Sequence, residues 1–329
     1  MTLQLYKKYG VIGSGAWGTA LTNMLVSNNI DCEIFARDIA TVEEINNKHT
    51  NNKYLPGITL HHNLRATNDL GKLLSNIDVI ILAVPAQKTR SFIIENKSSF
   101  PEGNPIILCA KGIEQTTGLF MSQIIEELLP NNPALVLSGP SFADDVVRGL
   151  ATAVTLACKD IKISSEISKH ISNNNFRCYI SDDIIGAQIG GALKNVFAIA
   201  CGAAAGYNLG ESAKASLITR SFAEIRRIGL KLGGRIESLC GLSGLGDLIL
   251  SCNSTKSRNF AYGYNLGSGT PPDGRLTEGY YTAYIAAEIC KNLEINAPLI
   301  FAIKQLLSEE TTIEQIYTDL ITRPLKIED

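Results

Sequence analysis

Apolar residues along this chain change their period near residue 183. Before it, short apolar runs bounded by turn residues recur at Tyr9 to Ile12, Asp31 to Ala36, Asp78 to Val84, Pro105 to Ala110 and Ala134 to Leu137. Such nearly continuous runs fit strands buried on both faces, as in a parallel sheet. Thr19 to Ser27 and Phe120 to Leu129 carry helical spacing between them. Ala151 to Cys158 and Phe176 to Ile180 are two further β-rich runs that extend the sheet. The alternation predicts an α/β, Rossmann-like doubly wound, mostly parallel sheet with right-handed crossovers. Beyond Asp183 the spacing becomes helical over Ile184 to Ala205, Ala213 to Leu232, Tyr281 to Leu293 and Ile313 to Ile321. In the second of these, Leu217, Ile218, Ser221, Ile225, Ile228 and Leu232 face inward. The pattern therefore predicts an α/β domain over residues 1–183 and an all-α domain over residues 184–329.

The first strand runs straight into Gly13-Ser14-Gly15-Ala16-Trp17-Gly18, and a helix follows. In that setting Gly13 makes the tight turn, Gly15 lets a pyrophosphate reach the backbone, and Gly18 lets helix and strand pack closely. The helix N-terminus offers free N–H groups and a positive dipole end to the anion. Arg37 follows the second strand, where an arginine accommodates the 2′-phosphate of NADPH; Asp38 beside it keeps NADH open. Lys111 and the Gly139-Pro140-Ser141 turn both follow carboxyl ends of strands, the edge at which open α/β sheets bind ligands.

Composition narrows the classes. With 45% hydrophobic and 19% charged residues and a mean hydropathy near zero (+0.09), the chain is globular rather than disordered. A net charge of −2 over 329 residues predicts no nucleic-acid partner. The eight cysteines form no C-x-x-C pair and read as reduced, buried small hydrophobes, which together with the lack of a signal-peptide pattern predicts a cytoplasmic protein. Ile184 to Gly206 has the length of a membrane span, but Gln188, Lys194 and Asn195 near its middle favour a buried helix, so no membrane span is expected.

On that long helix Gly190, Gly191, Lys194, Ala198 and Cys201 share a face, and Lys194 is its only long side chain. Partial burial would lower its pKa towards the range useful for proton transfer. No histidine follows His170, so a proton donor in the helical half has to be lysine or carboxylate, and no His-based zinc site is available. Gly244-Leu245-Gly246-Asp247 reads as a tight turn presenting one carboxylate, and Ser257-Arg258-Asn259 as a hydroxyl, guanidinium and amide suited to a phosphate.

The glycine turn, Ala110-Lys111-Gly112, Ser138-Gly139-Pro140-Ser141-Phe142-Ala143, Gly190-Gly191-Ala192-Leu193-Lys194-Asn195-Val196, Gly244-Leu245-Gly246-Asp247-Leu248 and Ser257-Arg258-Asn259 closely resemble, in order, blocks of the NAD(P)+-dependent sn-glycerol-3-phosphate dehydrogenase family. The resemblance implies a cytoplasmic enzyme, a homodimer, that reduces dihydroxyacetone phosphate with NADPH or NADH to sn-glycerol 3-phosphate, a phospholipid precursor. It implies that Lys194 is the proton donor. Besides the glycine turn, Trp17, Arg37, Lys111, Ala143, Arg258, Leu276 and Glu278 would contact the cofactor. Lys111, Gly139, Ser141, Lys194, Asp247, Ser257, Arg258 and Asn259 would hold the substrate. Two other readings stand beside it. One is a two-domain reductase of carboxylate substrates, such as a β-hydroxyacid dehydrogenase or ketopantoate reductase; the other is a non-catalytic NAD(P)H-binding regulator.

Overall fold

The computed structural model describes residues 6–271, 274 and 277–322. Leu276, an expected cofactor contact, lies outside the described residues. One eight-stranded sheet is formed by β1 (Lys8–Ile12), β2 (Asp31–Phe35), β3 (Arg65–Thr67), β4 (Val79–Leu82), β5 (Ile106–Leu108), β6 (Ala134–Ser138), β7 (Thr152–Cys158) and β8 (Phe176–Ser181). Their order across the sheet is β3-β2-β1-β4-β5-β6-β7-β8. The first six run parallel; β7 lies antiparallel to β6, and β8 is parallel to β7.

The continuous apolar runs serve two layers at once. In β4, Val79 and Ile81 join one hydrophobic cluster with Val11, Ile34 and Ile107, while Ile80 and Leu82 join another with Ile12, Phe35 and Ile106. The period of two thus survives inside a run that reads as uniformly apolar. The strand order reverses between β1 and β4, which places the crevice of the sheet beside the Gly13 turn.

The structure departs from the sequence reading at three places in this half. The polar segment Glu43 to Thr67, in which no apolar period shows, holds a π-helical turn at Glu44–Lys48 and the edge strand β3. The β7–β8 pair extends the sheet in the reversed direction. The only helix between β6 and β7, Ala143–Val147, rises about 7.5 Å, roughly half the length of β6, so the chain turns back instead of crossing over. The first helix begins at Ala16, earlier than the spacing suggested, which makes Gly15 its cap residue.

The helical half is organised by the Ile184–Gly206 helix, whose side chains are buried along almost its whole length. It is the one helix among the described residues long and apolar enough to cross a membrane, and it is the core of this half instead. Its Gly202 and Gly206 meet the backbone of Phe260 and Tyr264, and Gly263 and Gly267 of the Arg258–Gly267 helix meet the backbone of Ile199 and Ala203 in return. A β-carbon at any of the four would overlap main chain, so the two helices approach to backbone contact. The second long helix spans Glu211–Lys231; of its expected inward residues Ser221, Ile225 and Ile228 are buried, while Leu217, Ile218 and Leu232 are half-buried. Seven cysteines are buried and free, but Cys240 is exposed, because it ends a short surface helix, Ile236–Cys240.

Candidate active site

The glycine turn is shaped by two close approaches and one gap. Gly13 has φ 113°, and a β-carbon there would lie 2.7 Å from the Ala83 carbonyl oxygen after β4. A β-carbon on Gly18 would overlap the Gly13 carbonyl. At Gly15 the same test meets nothing within 4 Å. Gly15 caps the Ala16–Ser27 helix without any side-chain hydrogen bond, so the first-turn N–H groups are left to an incoming acceptor. The gap and the free N–H groups fit a pyrophosphate. Ala16, Trp17 and Ala143 are half-buried neighbours of the same cluster.

Arg37 is exposed just past β2 and makes no hydrogen bond or ion pair among the described residues. Asp38 is committed elsewhere. It caps the Ile39–Glu43 helix, accepting from Ala40 N (3.2 Å) and Thr41 Oγ1 (3.0 Å).

Further along the same edge, past β5, three charges from three segments meet. Lys111 Nζ donates to Asp247 Oδ2 (2.6 Å) and to the Gly139 carbonyl (3.0 Å). Lys194 Nζ donates to Asp247 Oδ1 (2.8 Å) and to Ser251 Oγ (2.7 Å). The Asp247 side chain is fully buried, that of Lys194 is 11% exposed and that of Lys111 17%. Burial lowers the Lys194 pKa to about 8, with Lys111 acting in the same direction and Asp247 opposing it. Two ammonium groups share one carboxylate, so the cluster carries a net positive charge among largely buried side chains. An anion that entered would be strongly held.

The segment read as a tight turn at Gly244 to Asp247 is helical. Leu242–Gly246 forms a π-helical turn that continues into the Asp247–Cys252 helix. The reason is the approach of the long helix: a β-carbon on Gly190 would sit 2.5 Å from the Ser243 carbonyl oxygen and 2.7 Å from Gly244 Cα. Gly191, next along, faces the other way, against Ser138 and Lys111 of the sheet domain. Adjacent glycines therefore let one helix touch both halves.

Behind the charges runs a line of amides. Asn195 Nδ2 donates to the Lys111 carbonyl (2.9 Å), Asn259 Nδ2 donates to Asn195 Oδ1 (2.9 Å), and Gly279 N donates to Asn259 Oδ1 (2.9 Å). Ser257 caps the Arg258–Gly267 helix, accepting from Phe260 N, and Arg258, the first residue of that helix, is exposed. Glu278 accepts from Ala86 N (3.0 Å) through Oε1, while its buried Oε2 has no hydrogen-bond partner among the described residues. Burial raises its pKa, against the pull of the Ala86 N–H and Arg258. Ser141 Oγ turns back to the Gly139 carbonyl (3.1 Å).

Lys111, Gly139, Lys194 and Asp247 are thus brought into direct contact, and Asn259 joins them through Asn195. Arg37 and the glycine turn lie at the other end of the same carboxyl edge. Ser251 was missed by sequence reasoning; its position four residues after Asp247 is the helical spacing that would reveal it once residues 247–252 are read as helix. Asn51, wholly buried beneath the glycine turn, carried no sequence signal, since it sits in a polar stretch without periodicity.

Residues 8–164 match the family model described as NAD-dependent glycerol-3-phosphate dehydrogenase N-terminus, and residues 183–318 match the C-terminus model of that family. The chain is 50% identical over 319 residues to glycerol-3-phosphate dehydrogenase [NAD(P)+] of Mesorhizobium japonicum, covering 97% of this chain and 93% of that one. It is 48% identical over 323 residues to the Brucella canis protein of the same name, covering 98% and 99%. Among solved structures, glycerol-3-phosphate dehydrogenase from Coxiella burnetii superposes with a TM-score of 0.91 at 32% identity, covering 97% of this chain and all of that one. A ketopantoate reductase from Ralstonia eutropha, at a TM-score of 0.59 and 14% identity, shares the fold alone.

Proposed function

From the premise that the chain belongs to the NAD-dependent glycerol-3-phosphate dehydrogenase family, we propose that its residues reduce dihydroxyacetone phosphate to sn-glycerol 3-phosphate through the Lys111–Asp247–Lys194 cluster, with NADPH preferred over NADH. The observation that carries the site assignment is the buried carboxylate of Asp247 held between two ammonium groups at the junction of sheet edge and long helix.

The bound nicotinamide supplies a hydride to the carbonyl carbon. Lys194 as ammonium stabilises the oxyanion and gives up a proton at Nζ, and a pKa lowered to about 8 leaves it both mostly charged near neutrality and willing to donate. Asp247 fixes that ammonium and, through its other oxygen, Lys111, so both point into one space. The phosphate dianion is met by Arg258, with Ser257 and Asn259 beside it, and Lys111 balances its charge; Gly139 and Ser141 line the sheet side. Gly13 to Gly18 hold the pyrophosphate, Arg37 the 2′-phosphate, and Trp17, Ala143, Lys111, Arg258 and Glu278 border the rest of the cofactor. The domain boundary is placed at residue 183: 1–183 carries most of the cofactor site and lends Lys111, Gly139 and Ser141 to the substrate, while 184–329 carries the proton donor and the phosphate site and lends Arg258 and Glu278 to the cofactor. A cytoplasmic homodimer serving phospholipid synthesis completes the reading.

The test is NADPH consumption by the purified protein at 340 nm. Turnover with dihydroxyacetone phosphate and none with a 3-oxo acid is the expected result; the reverse would make it a reductase of carboxylate substrates.

A further inference from the structure

Asn51 is 0% exposed, yet it belongs to none of the elements that form the cleft. Its Nδ2 donates to the Ser14 carbonyl (2.9 Å) and to Thr19 Oγ1 (2.9 Å), while Thr19 Oγ1 donates to that same carbonyl (3.2 Å). The network has one consistent orientation. The threonine proton goes to Ser14, so the hydroxyl oxygen must accept from Asn51, and both lone pairs of the Ser14 carbonyl are filled. Asn51 is itself anchored, because its carbonyl accepts from Leu55 N (2.8 Å) and Tyr54 N (3.1 Å) in a tight turn.

Fixing that carbonyl fixes more than Ser14. The Ser14–Gly15 peptide is trans and planar, so its N–H points opposite to its C=O. With the oxygen held inward by two donors, the Gly15 N–H is turned outward, at the one glycine of the Gly13–Gly18 turn whose surroundings are open within 4 Å. We propose that Asn51, with Thr19, is a positioning residue that locks the Ser14–Gly15 peptide so that the Gly15 N–H faces the dinucleotide pyrophosphate. Without the lock the peptide can rotate, and a rotated peptide presents a carbonyl oxygen to an anion. Glycine at one side of the bond makes that rotation easy. The inference rests on the reading of the Gly13–Gly18 turn as the pyrophosphate site.

Asn51→Asp keeps the volume and removes the donor. Direct titration with NADPH is expected to show a dissociation constant raised about ten- to hundredfold, the worth of an oriented donor to an anion. Adenosine 2′-monophosphate, which has no 5′-phosphate, is expected to bind variant and wild type within twofold. The maximal rate at saturating NADPH is expected to stay within about threefold. A lower melting temperature with unchanged NADPH affinity would make Asn51 merely structural and overturn the proposal, as would equal weakening of both ligands. If Asn51→Asp does not fold, Thr19→Val removes one of the two donors to Ser14. It should weaken NADPH about three- to tenfold without affecting adenosine 2′-monophosphate, and unchanged affinity overturns the proposal. Gly15→Asp separates the premise: wild-type NADPH affinity in that variant sinks the pyrophosphate reading, whereas loss there with no effect in Asn51→Asp sinks only the role of Asn51.

Discussion

At the proposed cofactor end of the cleft the groups that face outward are backbone N–H groups, and glycines make room for them. At the proposed substrate end the groups that meet are side chains: two lysines, one aspartate and a serine from three separate segments, nearly all buried. The first arrangement is local, within six consecutive residues. The second needs the whole fold, because Lys111 reaches it from the sheet edge, Lys194 from the long helix and Asp247 from a helix that begins 53 residues later. The difference predicts different failures. A change at the cofactor end should alter affinity, since the dipoles there bind without reacting; a change at the substrate end should alter rate.

The largest effect is expected at Lys194. Lys194→Met should lower kcat by about two to four orders of magnitude while NADPH affinity stays close to wild type. A variant within tenfold of wild type would remove Lys194 from proton transfer and erase the contrast between the two ends.

Titration of the same lysine gives a second, smaller handle. Reduction needs the ammonium form, so with the pKa lowered to about 8 the rate of dihydroxyacetone phosphate reduction should be level below it and fall as pH rises above it. Above the midpoint the fall approaches about tenfold per pH unit. Oxidation of glycerol 3-phosphate needs the free amine and should rise over the same interval. Rates in both directions at fixed saturation, measured from pH 6 to 10, check the sign; parallel profiles would exclude Lys194 as the shared group.

What could be read in the sequence divides along the same line. The Gly13 turn was legible because a phosphate site made of backbone leaves its signature in consecutive residues. Lys194 stood out among small residues on one helix. Lys111 stood out by its place after a strand and Asp247 by its flanking glycines, but nothing in the local pattern at either says that they meet Lys194. Ser251 was lost because the glycines at 244 and 246 suggested a turn, whereas Gly244 packs on the Leu239 backbone and Gly190 of the long helix packs on Gly244. Asn51 and β3 lie in a polar stretch where pairing with the sheet, not periodicity, decides the structure. The reversed direction of β7 likewise depends on the length of a connection that local patterns do not reveal.

Arg37 tests the cofactor end. With Asp38 engaged in capping, the guanidinium is free to meet a 2′-phosphate, so Arg37→Ala should lower kcat/KM for NADPH by about one power of ten and leave NADH within twofold. Equal losses for both cofactors would mean that the arginine does not read the 2′ position.

The smallest predicted effect concerns the joint between the two ends. Lys256 Nζ lies 3.1 Å from Asp144 Oδ2 and 2.9 Å from Asp145 Oδ1, and Arg148 adds a second cation 2.8 Å from Asp144 Oδ1. Lys256 precedes Ser257-Arg258 in the substrate half, while Asp144 and Asp145 open the short helix that follows the Gly139-Pro140-Ser141 turn. The network therefore ties one side of the cleft to the other at its rim. All four side chains are partly or largely exposed, so the stability at stake is small. Its effect should be on placement of Arg258. Lys256→Met is expected to raise the KM for dihydroxyacetone phosphate about two- to fivefold and to leave kcat unchanged. In wild type the same KM should rise with ionic strength by more than it does in the variant, because salt screens an exposed network that the variant no longer has. Identical salt dependence in the two proteins would show that the rim pairs do not hold the halves in register.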